Sequence, residues 1–198
     1  MVQILLLALL SLPARANDFP PEDCHAGIFR NAVDLGAQPE PDAVKIPATL
    51  SVCGHEKFKD HTAERIRWHY RNAALLLPRF AQLRGVRVER LELPQSLEFF
   101  KSPEELSQIL HLPLHYAGAH LYVYGRVNML FAEIYLGRRE AEDLYRMLAL
   151  WALMGPQYHW GENLSSDVRA QDIISDFAEF AMDKKNWLEP GGNSRIWN

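Results

Sequence analysis

Histidines are the residues of this 198-residue chain whose type and spacing come closest to a chemical site. His111, His115 and His120 lie within one short stretch, and His159 follows later in the chain. Imidazole nitrogens are common zinc ligands, and a catalytic zinc site uses three protein ligands. The four histidines are therefore candidate metal ligands. Pro113 prevents His111 and His115 from sharing one regular helical face, so loop histidines in contact with solvent are the alternative, which we favour.

A second candidate site is the stretch Tyr158-His-Trp-Gly-Glu162. A histidine and a carboxylate close together on a loop are residue types that transfer protons or bind polar ligands. Tyr158, His159, Trp160 and Glu162 are therefore candidate ligand-binding residues. The alternative, which we favour, is a loop whose aromatic rings close over the core.

Four carboxylates near the C-terminus form a pattern of their own. Asp172, Asp176, Glu179 and Asp183 follow one another at spacings of four, three and four residues, so they lie on one face of a helix. Such an acidic stripe is usually a solvated face. A surface that binds a cation or a basic partner is the functional alternative.

The motifs of several common catalytic machineries do not occur in this sequence. It contains no G-x-S-x-G nucleophile motif, no P-loop and no H-E-x-x-H zinc motif. This favours a non-catalytic function.

The two cysteines, Cys24 and Cys53, both lie in the first third of the chain. In an exported protein an even number of cysteines favours a disulfide, which we predict here. A Cys₂His₂ zinc site with His25 and His55 is the weaker alternative, because each histidine follows its cysteine too closely for the usual ligand spacing.

Residues 1–16 have the pattern of a secretory signal peptide. A short apolar run begins at Ile4, and Ala14-Arg-Ala16 is an A-x-A cleavage site before Asn17. The run is too short for a permanent membrane span. We therefore predict a secreted or periplasmic protein, with a buried N-terminal helix as the alternative.

Composition and charge limit the classes of function. An apolar content of 48% is sufficient for one packed domain, and a net charge of −4 argues against nucleic-acid binding. The eight histidines also favour partner binding or oligomerisation that changes with pH below about 6.5.

Hydrophobic periodicity and turn residues predict the elements that would position these side chains. They indicate a helix that begins near Asp60 or Thr62, is kinked or interrupted at Pro78 and ends at Gly85, a half-buried strand at 86–93, and a helix capped by Ser102. A hairpin turning at Gly125-Arg126 then leads into an apolar helix that ends at 154, and the acidic stripe lies on a last helix. We predict an α+β fold with a small, mainly antiparallel sheet that contains a hairpin and is packed by three or four helices. The predicted organisation is a signal peptide at 1–16, an irregular segment pinned by the disulfide at 17–59, a single domain at 60–185 and a mobile tail at 186–198.

The order of these elements resembles that of the small gluzincin-like (zincin) metallopeptidase domains. A long helix, the strand at 86–93, Leu97-Glu-Phe-Phe100, a hairpin ending at Ile134 and an apolar helix carry the resemblance. The family's apolar helix bears H-E-x-x-H, where this chain has Leu148-Ala-Leu-Trp-Ala-Leu-Met154. The segment Asp176-Phe-Ala-Glu179-Phe is similar to the family's later helix, which supplies the third zinc ligand. The resemblance implies a scaffold that has lost its zinc pair and its general base.

Taken together, the sequence favours an exported, non-catalytic binding or interaction protein without a cofactor, possessing a degenerate zincin-like (pseudopeptidase) domain. Its partner would be a protein or a small-molecule ligand. The alternative is a metal-dependent hydrolase in which zinc is held by the histidine cluster together with Glu162 or Glu179.

Overall fold

The computed structural model describes residues 24, 29–54, 60–100, 102, 104–105, 108, 121–123, 126–130, 138–154 and 168–187. The α+β class predicted from the sequence is confirmed: a five-stranded sheet packs against helices.

The first two strands of the described residues form a β-hairpin. Strand β1 (Phe29–Asp34) pairs antiparallel with β2 (Thr49–Gly54), and Val33 lies opposite Leu50. The prolines of segment 17–59 had suggested an irregular segment, but these two strands show that part of it is regular. The reason is that Pro39, Pro41 and Pro47 all fall in the connection between the two strands, where they interrupt no ladder.

Helix α1 (Asp60–Arg84) follows and is about 38 Å long. Its start and end agree with the sequence prediction, but Pro78 lies inside a continuous helix. Gly85 ends the helix with a φ of 62°, a left-handed conformation that glycine adopts without steric cost. The amide of Val86 closes the end by donating to the carbonyl of Ala81.

The remaining strands make the sheet mixed. Strand β3 (Ser96–Phe100) pairs parallel with β2, with α1 as the crossover between them. Strand β5 (Arg126–Leu130) pairs parallel with β3, and β4 (Leu121–Val123) forms the predicted antiparallel hairpin with β5. The order is β1-β2-β3-β5-β4, with two parallel and two antiparallel pairings. The sheet is thus less antiparallel than expected, because crossovers rather than turns join its central strands.

Two further helices complete the core. Helix α2 (Arg138–Met154) and helix α3 (Val168–Met182) pack with α1 on one face of the sheet. Both were predicted from their apolar spacing. Among the described side chains, the core contains residues of β2, β3 and the three helices: Leu50, Val52, Ile66, Tyr70, Leu77, Leu97, Phe99, Leu144, Leu148, Ile174 and Phe177.

Residues 86–93 do not form the predicted half-buried strand. Their backbone makes one isolated bridge, between Glu92 and Lys45. The amides of Glu89 and Arg90 instead both donate to the carbonyl of Ala152 in the last turn of α2. The alternating pattern of this stretch therefore reflects a segment that caps a helix end rather than a strand in the sheet.

Residues 186 and 187, at the start of the predicted mobile tail, pack against the domain. A 3₁₀ helix (Lys184–Asn186) follows α3, and Asn186 is buried. The indole of Trp187 donates to the carbonyl of Ala181 and packs edge-on against Trp68, with ring centroids 4.5 Å apart. No helix within the described ranges is both long and apolar enough to cross a membrane.

Candidate functional site

The acidic stripe predicted from the sequence lines a surface groove. One wall of this groove is the last turns of α1 and the other is α3, so we call it the α1–α3 groove. It has two compartments of about 360 and 480 Å³ that share Leu83 and Arg84. Its other lining residues are Phe80, Val86, Arg169, Asp172, Ile173, Asp176, Glu179, Phe180, Asp183, Lys185 and Asn186.

The groove follows α3 over almost its whole length. The α3 positions that line it lie between Arg169 and Phe180, at the spacing of a single helical face. At 1.5 Å per residue this face is about 17 Å long. Three carboxylates of the stripe are on this face, and Asp183 lines the groove just beyond the end of α3, so all four adjoin a groove rather than an open solvated surface.

Two of the four carboxylates are neutralised within the groove. The guanidinium of Arg84 pairs with Asp176 across the groove, and Lys185 pairs with Asp183 at 2.6 Å. The hydrogen bonds that Lys185 donates hold the pKa of Asp183 below its usual value. Asp172 and Glu179 make no ion pair with any of the described residues.

The groove also presents apolar surface to solvent. Leu83 is 66% exposed, and Leu91 at 69% is the only other large apolar side chain so exposed among the residues with described burial. Leu83 lies in the groove and Leu91 lies outside it. Beside Leu83, the rings of Phe80 and Phe180 lie 5.6 Å apart between centroids. The groove therefore combines an apolar floor with carboxylates along its rim.

A second polar cluster lies inside the core, between α1 and α2. The hydroxyl of Tyr145 lies 2.9 Å from Nδ1 of His69 and accepts a hydrogen bond of 3.1 Å from the amide of Asn72. The tautomer of the neutral imidazole sets the direction of the first bond: the hydroxyl donates to a bare Nδ1 or accepts from an Nδ1 that carries the proton. We call these three residues the α1–α2 polar cluster.

Burial keeps the α1–α2 polar cluster neutral. Burial lowers the pKa of His69 to about 3, and the charge of the nearby Arg65 adds to this effect. Burial also raises the pKa of Tyr145, against the opposing effect of the Asn72 hydrogen bond. His69 and Tyr145 have no solvent-exposed surface. The arrangement therefore joins two helices and does not present an acid or base to a substrate.

The sequence analysis did not identify this cluster. The available signal was a tyrosine within the apolar spacing of α2, next to Leu144 and ahead of Leu148, because a buried hydroxyl normally finds a hydrogen-bond partner.

The predicted disulfide is present. Cys24 and Cys53 are joined, with their Cα atoms 5.4 Å apart, and they are 29 positions apart in the sequence. Cys53 is buried at the end of β2, so the bond attaches the chain before β1 to the sheet. In the parallel register between β2 and β3, Cys53 lies opposite Glu98, whose side chain has no exposed surface.

Most of the other predicted site residues lie outside the described residues. These are His111, His115, His120, Tyr158, His159, Trp160 and Glu162. Glu179 is described, and it lies on the rim of the α1–α3 groove. Within the described part of the chain, no three His, Cys, Asp or Glu side chains are grouped so as to hold a metal ion.

Comparison of the chain with protein-family models, with curated proteins and with solved structures found no match.

Proposed function

We propose that the chain is an exported, non-catalytic interaction protein that binds a partner protein in the α1–α3 groove. The observation that carries this proposal is the position of Leu83. A leucine that is 66% exposed lies in a groove beside two phenylalanine rings and a row of carboxylates. Apolar surface rimmed by polar residues is typical of a binding site.

Export is supported by two features. The sequence of residues 1–16 has the pattern of a signal peptide, and the chain carries a disulfide. Disulfides persist in oxidising compartments and are rare in the cytosol. The partner is therefore sought in the compartment to which the cell exports the protein.

The experiment compares the two exposed leucines directly. A photo-reactive benzoyl-phenylalanine is placed at position 83 in one variant and at position 91 in a matched control, and each protein is irradiated in the cell that produces it. Leu91 is the appropriate control because it is as exposed as Leu83 but lies outside the groove. Mass spectrometry then identifies the cross-linked proteins.

The proposal predicts one discrete cross-linked partner at position 83 and none at position 91. It also predicts that the charge-introducing variant Leu83→Glu, which leaves the core intact because the side chain is exposed, reduces recovery of the same partner. Absence of a cross-link at position 83, or the same products at both positions, would show that the groove is not the binding site.

A further inference from the structure

We infer that the chain forms a symmetric dimer in which the β1 strands of two copies pair antiparallel and join the two sheets. Strand β1 is at the edge of the five-stranded sheet: it pairs with β2 on one side and with no strand of the described residues on the other. An open edge presents a row of unpaired backbone groups that can accept a further strand. This edge lies outside the α1–α3 groove, so the inference does not depend on the proposed function.

Alternate residues of β1 direct their backbone groups towards the open side. In an antiparallel pair, every second residue exchanges hydrogen bonds with the residue opposite. The amide of Leu35, the residue after β1, donates to the carbonyl of Ala48, which continues the register of β1 with β2. Counting back from Leu35 by steps of two gives the residues that bond to β2. The residues between them, Arg30, Ala32 and Asp34, therefore point their amides and carbonyls outward.

The side chains of the same three residues form a self-complementary charge pattern. Arg30, Ala32 and Asp34 are the exposed residues of β1, and the β2 residues beside the two charges, Cys53 and Thr49, carry no charge. A twofold axis through Ala32 places Arg30 of each copy opposite Asp34 of the other. Two ion pairs then flank a central pair of small side chains. Opposite charges directly across two paired strands are stabilising, and like charges there are destabilising.

Backbone and side chains agree on this register. Pairing about Ala32 sets outward-pointing residues against outward-pointing residues, so each such pair exchanges two backbone hydrogen bonds. Moving the axis to Asn31 or to Val33 would keep the backbone bonds, but it would set a charged residue opposite Ala32. The charges therefore select the register centred on Ala32.

The groups around the edge are compatible with a second copy. Oδ1 of Asp34 accepts from the amide of Gly36 at 2.8 Å, which leaves Oδ2 for the arginine of the other copy. The carbonyl of Asp34 accepts from Arg67 and has a second lone pair. Arg67 belongs to α1, which packs on the face of the sheet that carries Val33, whereas Arg30 lies on the other face. No described residue forms an ion pair with Arg30.

The test is sedimentation velocity of the disulfide-bonded protein up to about 100 µM, a range that includes the weak affinities of small interfaces. Wild type should form a dimer. Arg30→Glu and Asp34→Arg should each weaken dimerisation about tenfold or more, because the symmetry turns both ion pairs into like-charge contacts. An equimolar mixture of the two variants should form a heterodimer, visible by native mass spectrometry, since each variant supplies the charge that the other requires.

Matched controls separate the edge from a general effect of charge. Arg87→Glu and Glu89→Arg reverse exposed charges on the segment 86–93, outside β1, and should keep the wild-type dimer. Ala32→Pro removes an outward-pointing amide and leaves the hydrogen bonds to β2 in place, a position at which edge strands tolerate proline. This variant should be monomeric, with a circular dichroism spectrum that matches wild type.

A wild-type protein that is monomeric throughout the concentration range would overturn the inference. So would a mixture of Arg30→Glu and Asp34→Arg that forms no heterodimer, or equal effects of the β1 variants and the controls. A dimer that Leu83→Glu dissociates and Arg30→Glu does not would also overturn it, because the two copies would then meet at the α1–α3 groove.

Discussion

His69 and Tyr145 are 76 residues apart in the sequence, and their side chains share a hydrogen bond of 2.9 Å in the core. The bond joins the middle of α1 to the first half of α2. Asn72, one turn along α1 from His69, donates to the same hydroxyl at 3.1 Å. One tyrosine hydroxyl therefore forms hydrogen bonds with two polar side chains of the neighbouring helix.

Replacing Tyr145 with phenylalanine should destabilise the protein by about 2–4 kcal/mol. The substitution keeps the buried ring but removes the hydroxyl, which leaves polar atoms of His69 and Asn72 without their partner in the core. Urea unfolding followed by circular dichroism measures the change. The control Phe177→Leu, which alters the same aromatic packing without removing a hydrogen-bonding side chain, separates packing from polar effects. A loss below about 0.5 kcal/mol for Tyr145→Phe would show that the hydroxyl contributes little to stability.

Stability should fall as pH decreases from 6.5 towards 3. The pKa of His69 is about 3 in the folded protein and near 6.5 in the unfolded chain, so the unfolded chain binds more protons in this window. The free energy of unfolding contributed by this group therefore decreases by about 1.4 kcal/mol for each pH unit.

The variant His69→Gln is the control for that pH dependence. Glutamine can accept from Tyr145 but does not titrate, and the contributions of the carboxylates are common to both proteins. The wild-type curve of unfolding free energy against pH should be steeper than that of the variant between pH 6 and 4. Parallel curves in this range would contradict the assignment of the effect to His69.

Removing the disulfide should cost about 3–4 kcal/mol of stability. Cys24 and Cys53 are separated by 29 positions, and in the chain-entropy model a loop of that size restricts the unfolded ensemble by about this amount. The double variant Cys24→Ser/Cys53→Ser is compared with wild type by chemical unfolding, with and without a thiol reductant. Reductant should lower the stability of wild type to that of the variant and leave the variant unchanged.

Metal analysis tests the alternative of a hydrolase. Protein purified without an affinity tag or added metal should contain much less than one zinc per chain, as expected for a non-catalytic binding protein. The measurement is elemental mass spectrometry on wild type and on His115→Ala/His120→Ala. Stoichiometric zinc that is lost in the double variant would establish the histidine cluster as a metal site and favour the hydrolase.

Local features of the fold were predictable from the sequence because they depend on neighbouring residues. Gly85 ends α1, and the hydroxyl of Ser102 accepts from the amide of Glu105 as a helix cap should. The apolar spacing of α2 correctly indicated a buried face that includes Leu144 and Leu148. Each of these signals is contained within a few residues of sequence.

Features that depend on long-range pairing were not predictable in the same way. Alternation at 86–93 is compatible with a strand, but whether such a segment joins a sheet depends on what lies beside it, and here it meets the end of α2 at Ala152. The acidic stripe was identified on α3, whereas the opposing wall of the groove comes from Leu83 and Phe80, about ninety residues earlier in the chain. The residue pattern within one helix does not specify which other helix packs beside it.

The crossover of α1 between β2 and β3 has a consequence for the rate of folding. The parallel pair that places Val52 opposite Leu97 forms only after 45 residues have been brought into a closed loop, since no turn can join parallel strands. Chains rich in such long-range contacts fold more slowly than helical bundles of similar size. The newly made chain therefore remains without its central sheet for longer, and during this interval the apolar strands β2 and β3 are exposed to aggregation.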